Sequence, residues 1–180
     1  MEDLSLHILD IAENSISSGA KEIKIKISEN SEKDILSLEI IDNGKGMDEE
    51  TVRKVLDPFF TTRTTRRVGL GLPLLAEAAR MSGGDISIKS KLGKGTKITA
   101  TFQLRHIDRK PLGDMVSTLI TLIAANPSLK FIYIHQKNGS KFIFDTNNYK
   151  KLIKDNFIKP ETIREIKKIL KNGLDNLSRR

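Results

Sequence analysis

Three groups of residues in this chain have types and spacing suited to chemistry. Asp10 and Asn14 lie four residues apart, with His7 and Ser17 three residues to either side, so on a helix all four stack along one face. Asp42-Asn43-Gly44-Lys45-Gly46-Met47 sets a carboxylate just before two glycines, whose missing Cβ atoms let a ligand approach the backbone. At a strand end that carboxylate can accept a hydrogen bond from an exocyclic amine such as adenine's. Gly69-Leu70-Gly71-Leu72 runs into Pro73 in the pattern of a helix N-terminus, where free backbone N–H groups favour phosphate. Between these motifs, Asp57-Pro58-Phe59-Phe60-Thr61-Thr62-Arg63 and the run to Arg67 read as a lid. Its Thr hydroxyls and Arg63, Arg66 and Arg67 are donors of the kind phosphate oxygens need. Each motif alone has a plainer reading: a solvated helix face, an Asp-Asn-Gly turn, a basic loop, a tight packing turn.

The elements that must position these residues follow from periodicity. Leu4, Ile8, Ile11 and Ser15, with Leu9, Ala12 and Ile16, recur at helical spacing and predict a helix over 4–17, closed at Gly19. Ile23, Ile25 and Ile27 alternate with Lys24 and Lys26 as in a half-buried strand, and a second strand over 36–41 leads straight into Asp42. A helix from Gly71 to about Ser82 stops at Gly83-Gly84. Strands over 85–91 and 96–104 then flank the turn Leu92-Gly93-Lys94-Gly95. Gly93-Lys94-Gly95-Thr96 is not a Walker loop, because it lies between strands and no helix follows.

Taken together and in this order, the motifs of residues 4–104 resemble the ATP-binding domain shared by DNA gyrase, ninety-kilodalton heat-shock chaperones, sensor histidine kinases and MutL-type mismatch-repair proteins. The kinase-like and anti-sigma-kinase-like members are the nearest in pattern. The resemblance implies a Bergerat fold over 1–105: an α/β, two-layer sandwich with a mixed sheet. It further implies that ATP and Mg2+ are the cofactors, with Asn14 as the metal ligand and Asp42 and Thr96 as adenine contacts. Gly44 and Gly46 would lie beside the nucleotide. Thr61, Thr62, Arg63, Gly69, Leu70, Gly71 and Leu72 would surround the phosphates. Asp10 stands where hydrolysing members carry a Glu that polarises water, and is one methylene shorter. Ser17 stands where sensor kinases often carry a phosphate-contacting Lys, so the lid arginines are expected to balance phosphate charge. His7 is expected to be structural or at the site edge rather than a phosphoacceptor.

Charge divides the chain. Residues 1–105 hold 16 Lys plus Arg and 16 Asp plus Glu, and residues 106–180 hold 15 and 7, so the whole excess of +8 lies in the second part. That part, 106–180, reads as a small basic α+β helix-hairpin-helix module. A helix is predicted over 111–125, and a hairpin around Asn138-Gly139 has Phe131, Ile132, Ile134, Phe142 and Ile143 expected to bury against that helix. A final amphipathic helix over 160–177 supplies an intramolecular or homodimer seam.

Zero cysteines exclude disulfides, thiol catalysis and cysteine-ligated metal. No apolar run reaches membrane-spanning length and no signal peptide is expected, which fits a cytoplasmic protein without membrane insertion. The basic tail raises nucleic acid as a partner, but with no Trp, two Tyr and seven Phe, base stacking has little to work with. Three functions are compatible with these residues. One is a regulatory kinase or slow ATPase in signal transduction that acts on a protein partner or phosphoacceptor; another is an ATP-gated switch; the third is a MutL-like DNA-associated ATPase.

Overall fold

Asp3 starts the first helix. In this computed structural model, which describes residues 2–57, 71–151, 153 and 159–179, helix α1 spans Leu4–Ser17. Its Leu6 N–H donates to the Asp3 carboxylate at 3.0 Å. The helix stops at Gly19, whose φ of +82° lets its N–H reach the Ile16 carbonyl. Strands β1 (Glu22–Asn30) and β2 (Ile35–Asp42) follow, then a short helix α2 (Glu49–Lys54) that the apolar pattern gave no reason to expect. Helix α3 (Gly71–Met81) and strands β3 (Ile86–Lys91) and β4 (Gly95–Gln103) complete the first part.

Helix α4 runs over Met115–Ala125, not from residue 111 as predicted. Gly113 has a φ of +80°, and Asp114 caps the helix by accepting from the Ser117 N–H at 2.9 Å. Strands β5 (Lys130–Lys137) and β6 (Ser140–Asp145) form the expected hairpin. Asn138 and Gly139 both have positive φ, as a two-residue primed turn requires. Helix α5 spans Pro160–Ser178 and buries Thr162, Ile166, Leu170 and Leu177.

The strands make one six-stranded mixed sheet in the order β3-β4-β2-β1-β5-β6, in which β1 and β5 are parallel and every other neighbouring pair is antiparallel. The eight-position register from Glu22↔Lys130 to Glu29↔Lys137 therefore makes the part after residue 106 continuous with the part before it. Alternate strand residues, among them Ile25, Leu38, Ala100 and Tyr133, bury on the side where α1 packs on α3 and α4, and α4 on α5. The result is a two-layer α/β sandwich.

Period two also corrects the hairpin reading. Phe131, Tyr133 and Phe144 take the helix side, so Ile132, Ile134 and Ile143 point to the other face, and Ile143 is 52% exposed. Among the described residues, no helix is long and apolar enough to cross a membrane.

Candidate functional site

Asp42 ends β2 on the helix side of the sheet, in step with Leu36, Leu38 and Ile40, and is 8% exposed. Burial of a carboxylate demands donors, and two are present. Ser15 Oγ donates to Oδ2 at 2.8 Å, and the Gly44 N–H donates to Oδ1 at 2.9 Å. These bonds fix the carboxylate plane at the mouth of the helix layer and leave its remaining lone pairs as acceptors.

Thr96 lies directly across from Asp42 in the β2–β4 register, and across from Ser90 in the β3–β4 register. Ser90 Oγ donates its one hydrogen to the Gly95 carbonyl at 2.9 Å and accepts the Met47 N–H at 2.8 Å. Its 2.8 Å contact with Thr96 Oγ1 is then one in which Thr96 donates, so Thr96 keeps its lone pairs as acceptors. The 42–47 loop is further tied down by Asn43, whose Oδ1 accepts the N–H groups of Lys21 and Glu22 at 2.8 and 2.9 Å.

Three glycines hold this end of the sheet closed. A Cβ on Gly44 would strike Ser18 Oγ. On Gly46, at φ +67°, it would strike the Lys91 carbonyl, and on Gly95, at φ +97°, the Asp42 carbonyl. Close approach between loops thus gives Gly44 and Gly46 a packing reason as well as the ligand-access reason read from the sequence.

Asn14, the residue before Ser15 on α1, belongs to the second cluster. Asn14 Nδ2 is 3.5 Å from Asp10 Oδ2, and Gly71 at the start of α3 is packed so tightly on that same oxygen that any side chain there would displace it. The fold therefore delivers the N-terminus of α3 to the Asp10–Asn14 face of α1, where four backbone N–H groups lack intrahelical partners. Leu72 is half-buried beside it. Of the expected phosphate-side residues, Thr61, Thr62, Arg63, Gly69 and Leu70 lie outside the described residues, as do Phe59, Phe60, Arg66 and Arg67.

His7 is 2% exposed, and its Nδ1 is buried without a hydrogen-bond partner among the described residues. Burial above all, then the positive N-terminus and Lys110, pushes its pKa below the ordinary 6.5, opposed by Asp10 and Asp3. The sequence read His7 as part of a polar strip; the structure buries it, while Ser17 at the other end of the strip is exposed.

Ser15, Ser90 and Asn43 were not among the sequence-derived site residues. For Ser15 a signal existed: it recurs with Leu4, Ile8 and Ile11 in the inward stripe, and a hydroxyl pointing into a core must find a partner. For Ser90 and Asn43 the partners include Met47, Lys21 and Glu22, far along the chain and beyond any local pattern.

With this geometry in hand, comparison with known proteins is specific. The family model described as "Histidine kinase-, DNA gyrase B-, and HSP90-like ATPase" matches residues 2–106. Sensor protein kinase FleS of Pseudomonas aeruginosa is 38% identical over 105 residues, which is 58% of this chain and 25% of that protein. Sensor histidine kinase WalK of Bacillus subtilis is 34% identical over 110 residues, covering 55% of this chain and 18% of that protein. A putative sensor protein of Shewanella frigidimarina is 43% identical over 72 residues, 39% of this chain and 11% of that protein. The chain thus spans at most about a quarter of the length of these relatives. Among solved structures, the N-terminal domain of a DNA repair protein superposes with a TM-score of 0.56 at 16% identity, over 79% of this chain and 52% of that one, a likeness of fold.

Proposed function

The chain belongs to the histidine kinase-, DNA gyrase B- and HSP90-like ATPase family through residues 2–106, and from that premise we propose that its ATP-binding, kinase-like domain holds Mg-ATP and serves as a regulatory kinase or slow ATPase acting on a protein partner. The observation that carries this reading is the Asp42 carboxylate, fixed by Ser15 and Gly44 directly across from Thr96. An immobile pair of acceptors suits an adenine, whose exocyclic amine donates, and disfavours a guanine, which presents a carbonyl there.

In this reading Asp42 takes the adenine amine, and Thr96 contacts adenine partly through a water that donates to a ring nitrogen. Asn14, next to Ser15 on α1, presents its amide oxygen to the magnesium ion. Magnesium prefers oxygen ligands and keeps several waters, so one side-chain oxygen plus phosphate oxygens fits its chemistry. The bound nucleotide supplies the transferable γ-phosphoryl group. Gly71 and Leu72 offer the N-terminal N–H groups of α3 to the phosphates, with Gly69, Leu70, Thr61, Thr62 and Arg63 completing that side. Asp10 is held against Gly71 and Asn14, where it orients the attacking water or acceptor hydroxyl. Its short side chain has little freedom to extend, which favours slow turnover.

The sensor-kinase relatives favour transfer to a protein over hydrolysis alone. The test is γ-labelled ATP with magnesium. Label on a co-purified partner protein supports transfer, free phosphate alone supports an ATPase, and tight binding with neither product makes the domain a nucleotide-gated switch. Unchanged Mg-ATP affinity in Asn14→Ala and Asp42→Ala, measured by calorimetry, would refute the site itself.

A further inference from the structure

The helices cover one face of the sheet, and the pairing registers identify what stands on the other. One row across the strands places Lys89, Lys97, Ile41, Lys24, Ile132 and Asp145 side by side. The next places Glu39, Lys26, Ile134 and Ile143 together. Ile132 and Ile134 are half-buried and Ile143 is 52% exposed, so an aliphatic strip runs over β5 and β6, flanked by lysines.

Lysines outnumber carboxylates there: Lys24, Lys26, Lys89, Lys97, Lys130 and Lys141 share the face with Glu22, Glu39 and Asp145. Lys26 and Lys97 share Glu39, at 3.9 and 2.9 Å, and Lys130 pairs with Glu22 at 2.8 Å. Lys24, Lys89 and Lys141 have no carboxylate within ion-pair distance among the described residues. An aliphatic strip beside uncompensated ammonium groups is a mixed surface that an all-polar solvated face does not need.

We propose that this open face docks an acidic amphipathic helix of another protein, turning the two-layer sandwich into a three-layer one. Strands lie about 4.8 Å apart and a helix is roughly 10 Å across, so one helix laid on the strip covers β1, β5 and β6. Its apolar stripe then meets Ile132, Ile134 and Ile143, and carboxylates on its flanks reach Lys24 and Lys141. A second copy of this chain fits poorly, because face-to-face apposition sets two lysine-rich faces together, with Glu22, Glu39 and Asp145 too few to balance them. Nucleic acid gains nothing from isoleucines, and Phe102, Phe131, Tyr133, Phe142 and Phe144 all point to the helix side.

The test is a selection of helical 16-residue peptides from a displayed library against the full chain, followed by fluorescence anisotropy on the enriched peptides. The expected binders carry Leu or Ile at helical spacing with Asp or Glu flanks. They lose about tenfold or more in affinity for Ile143→Asp and for Lys24→Glu, and weaken as salt is raised. Melting curves and ATP affinity of both variants, neither of which touches the nucleotide site, separate lost docking from lost folding. Enriched peptides that are not acidic, or whose binding both folded variants leave unchanged, overturn the proposal. So does a face that instead binds duplex DNA or phosphatidylserine vesicles in a manner these two variants abolish.

Discussion

Replacing Ser15 by Ala removes one hydroxyl and nothing else from α1, yet it should reach the nucleotide. The hydroxyl is the donor to Asp42 Oδ2 at 2.8 Å, and both residues are buried, at 5% and 8% exposure. A hydrogen bond to a charged group contributes about 1.5–3 kcal/mol. In the free protein, water entering the nucleotide cleft can replace the lost donor, so the cost to folding should be near 1 kcal/mol. For a chain of this length that is a fall in Tm of about 2–4 °C. With ATP in place that water is displaced, and Asp42, held by Gly44 alone, is free to rotate. The rest of the loss, about 1.4 kcal/mol, therefore falls on binding, as roughly a tenfold rise in Kd. Calorimetry on wild type, Ser15→Ala, Asp42→Ala and the double variant closes a cycle: the Ser15 change should cost affinity only while Asp42 is present. A Kd within twofold of wild type, or strictly additive effects, would mean that Ser15 does not position Asp42.

Other outcomes follow from single positions. Gly95→Ala should lower Tm and ATP affinity together, because its φ of +97° is strained for Ala and the new Cβ meets the Asp42 carbonyl; Gly93→Ala, strained too at φ +73° but with open space around its Cβ, should lower Tm while leaving ATP affinity unchanged by the same calorimetry. His7 has a folded pKa below the unfolded 6.5, so the unfolded chain takes up the proton first, and stability falls as pH drops through 6.5 toward the folded value. His7→Leu should flatten that fall between pH 7.5 and 5.5 in denaturant titrations, by at most about 1.4 kcal/mol per pH unit; an unchanged slope refutes the assignment. Truncation after residue 106 should yield an aggregating or unfolded chain by circular dichroism and light scattering. It strips β1 of its β5 partner and removes Phe131, Tyr133, Leu119 and Leu122 from the core, each contributing about 1.5–3 kcal/mol.

The sequence determined a great deal about the nucleotide end of this protein, because the rules involved are local. Helical spacing put Asp10 and Asn14 on one face of α1, strand period and the glycine turn put Asp42 at the end of β2, and Asn138-Gly139 closed a hairpin. The order of these motifs carried the family, and the boundaries of α1 agree to the residue. Tertiary structure decided what depends on partners far along the chain. Ser15 meets Asp42 across 27 residues, Ser90 receives Met47 across 43, and β5 joins β1 across more than 100, none of which leaves a periodic trace. The same reason governs the isoleucines of β5 and β6. Their apolarity was legible, but which side of the sheet they face is set by which residue of the neighbouring strand each one pairs beside, β1 for Ile132 and Ile134 and β5 for Ile143, and only that register separates a core from a docking surface.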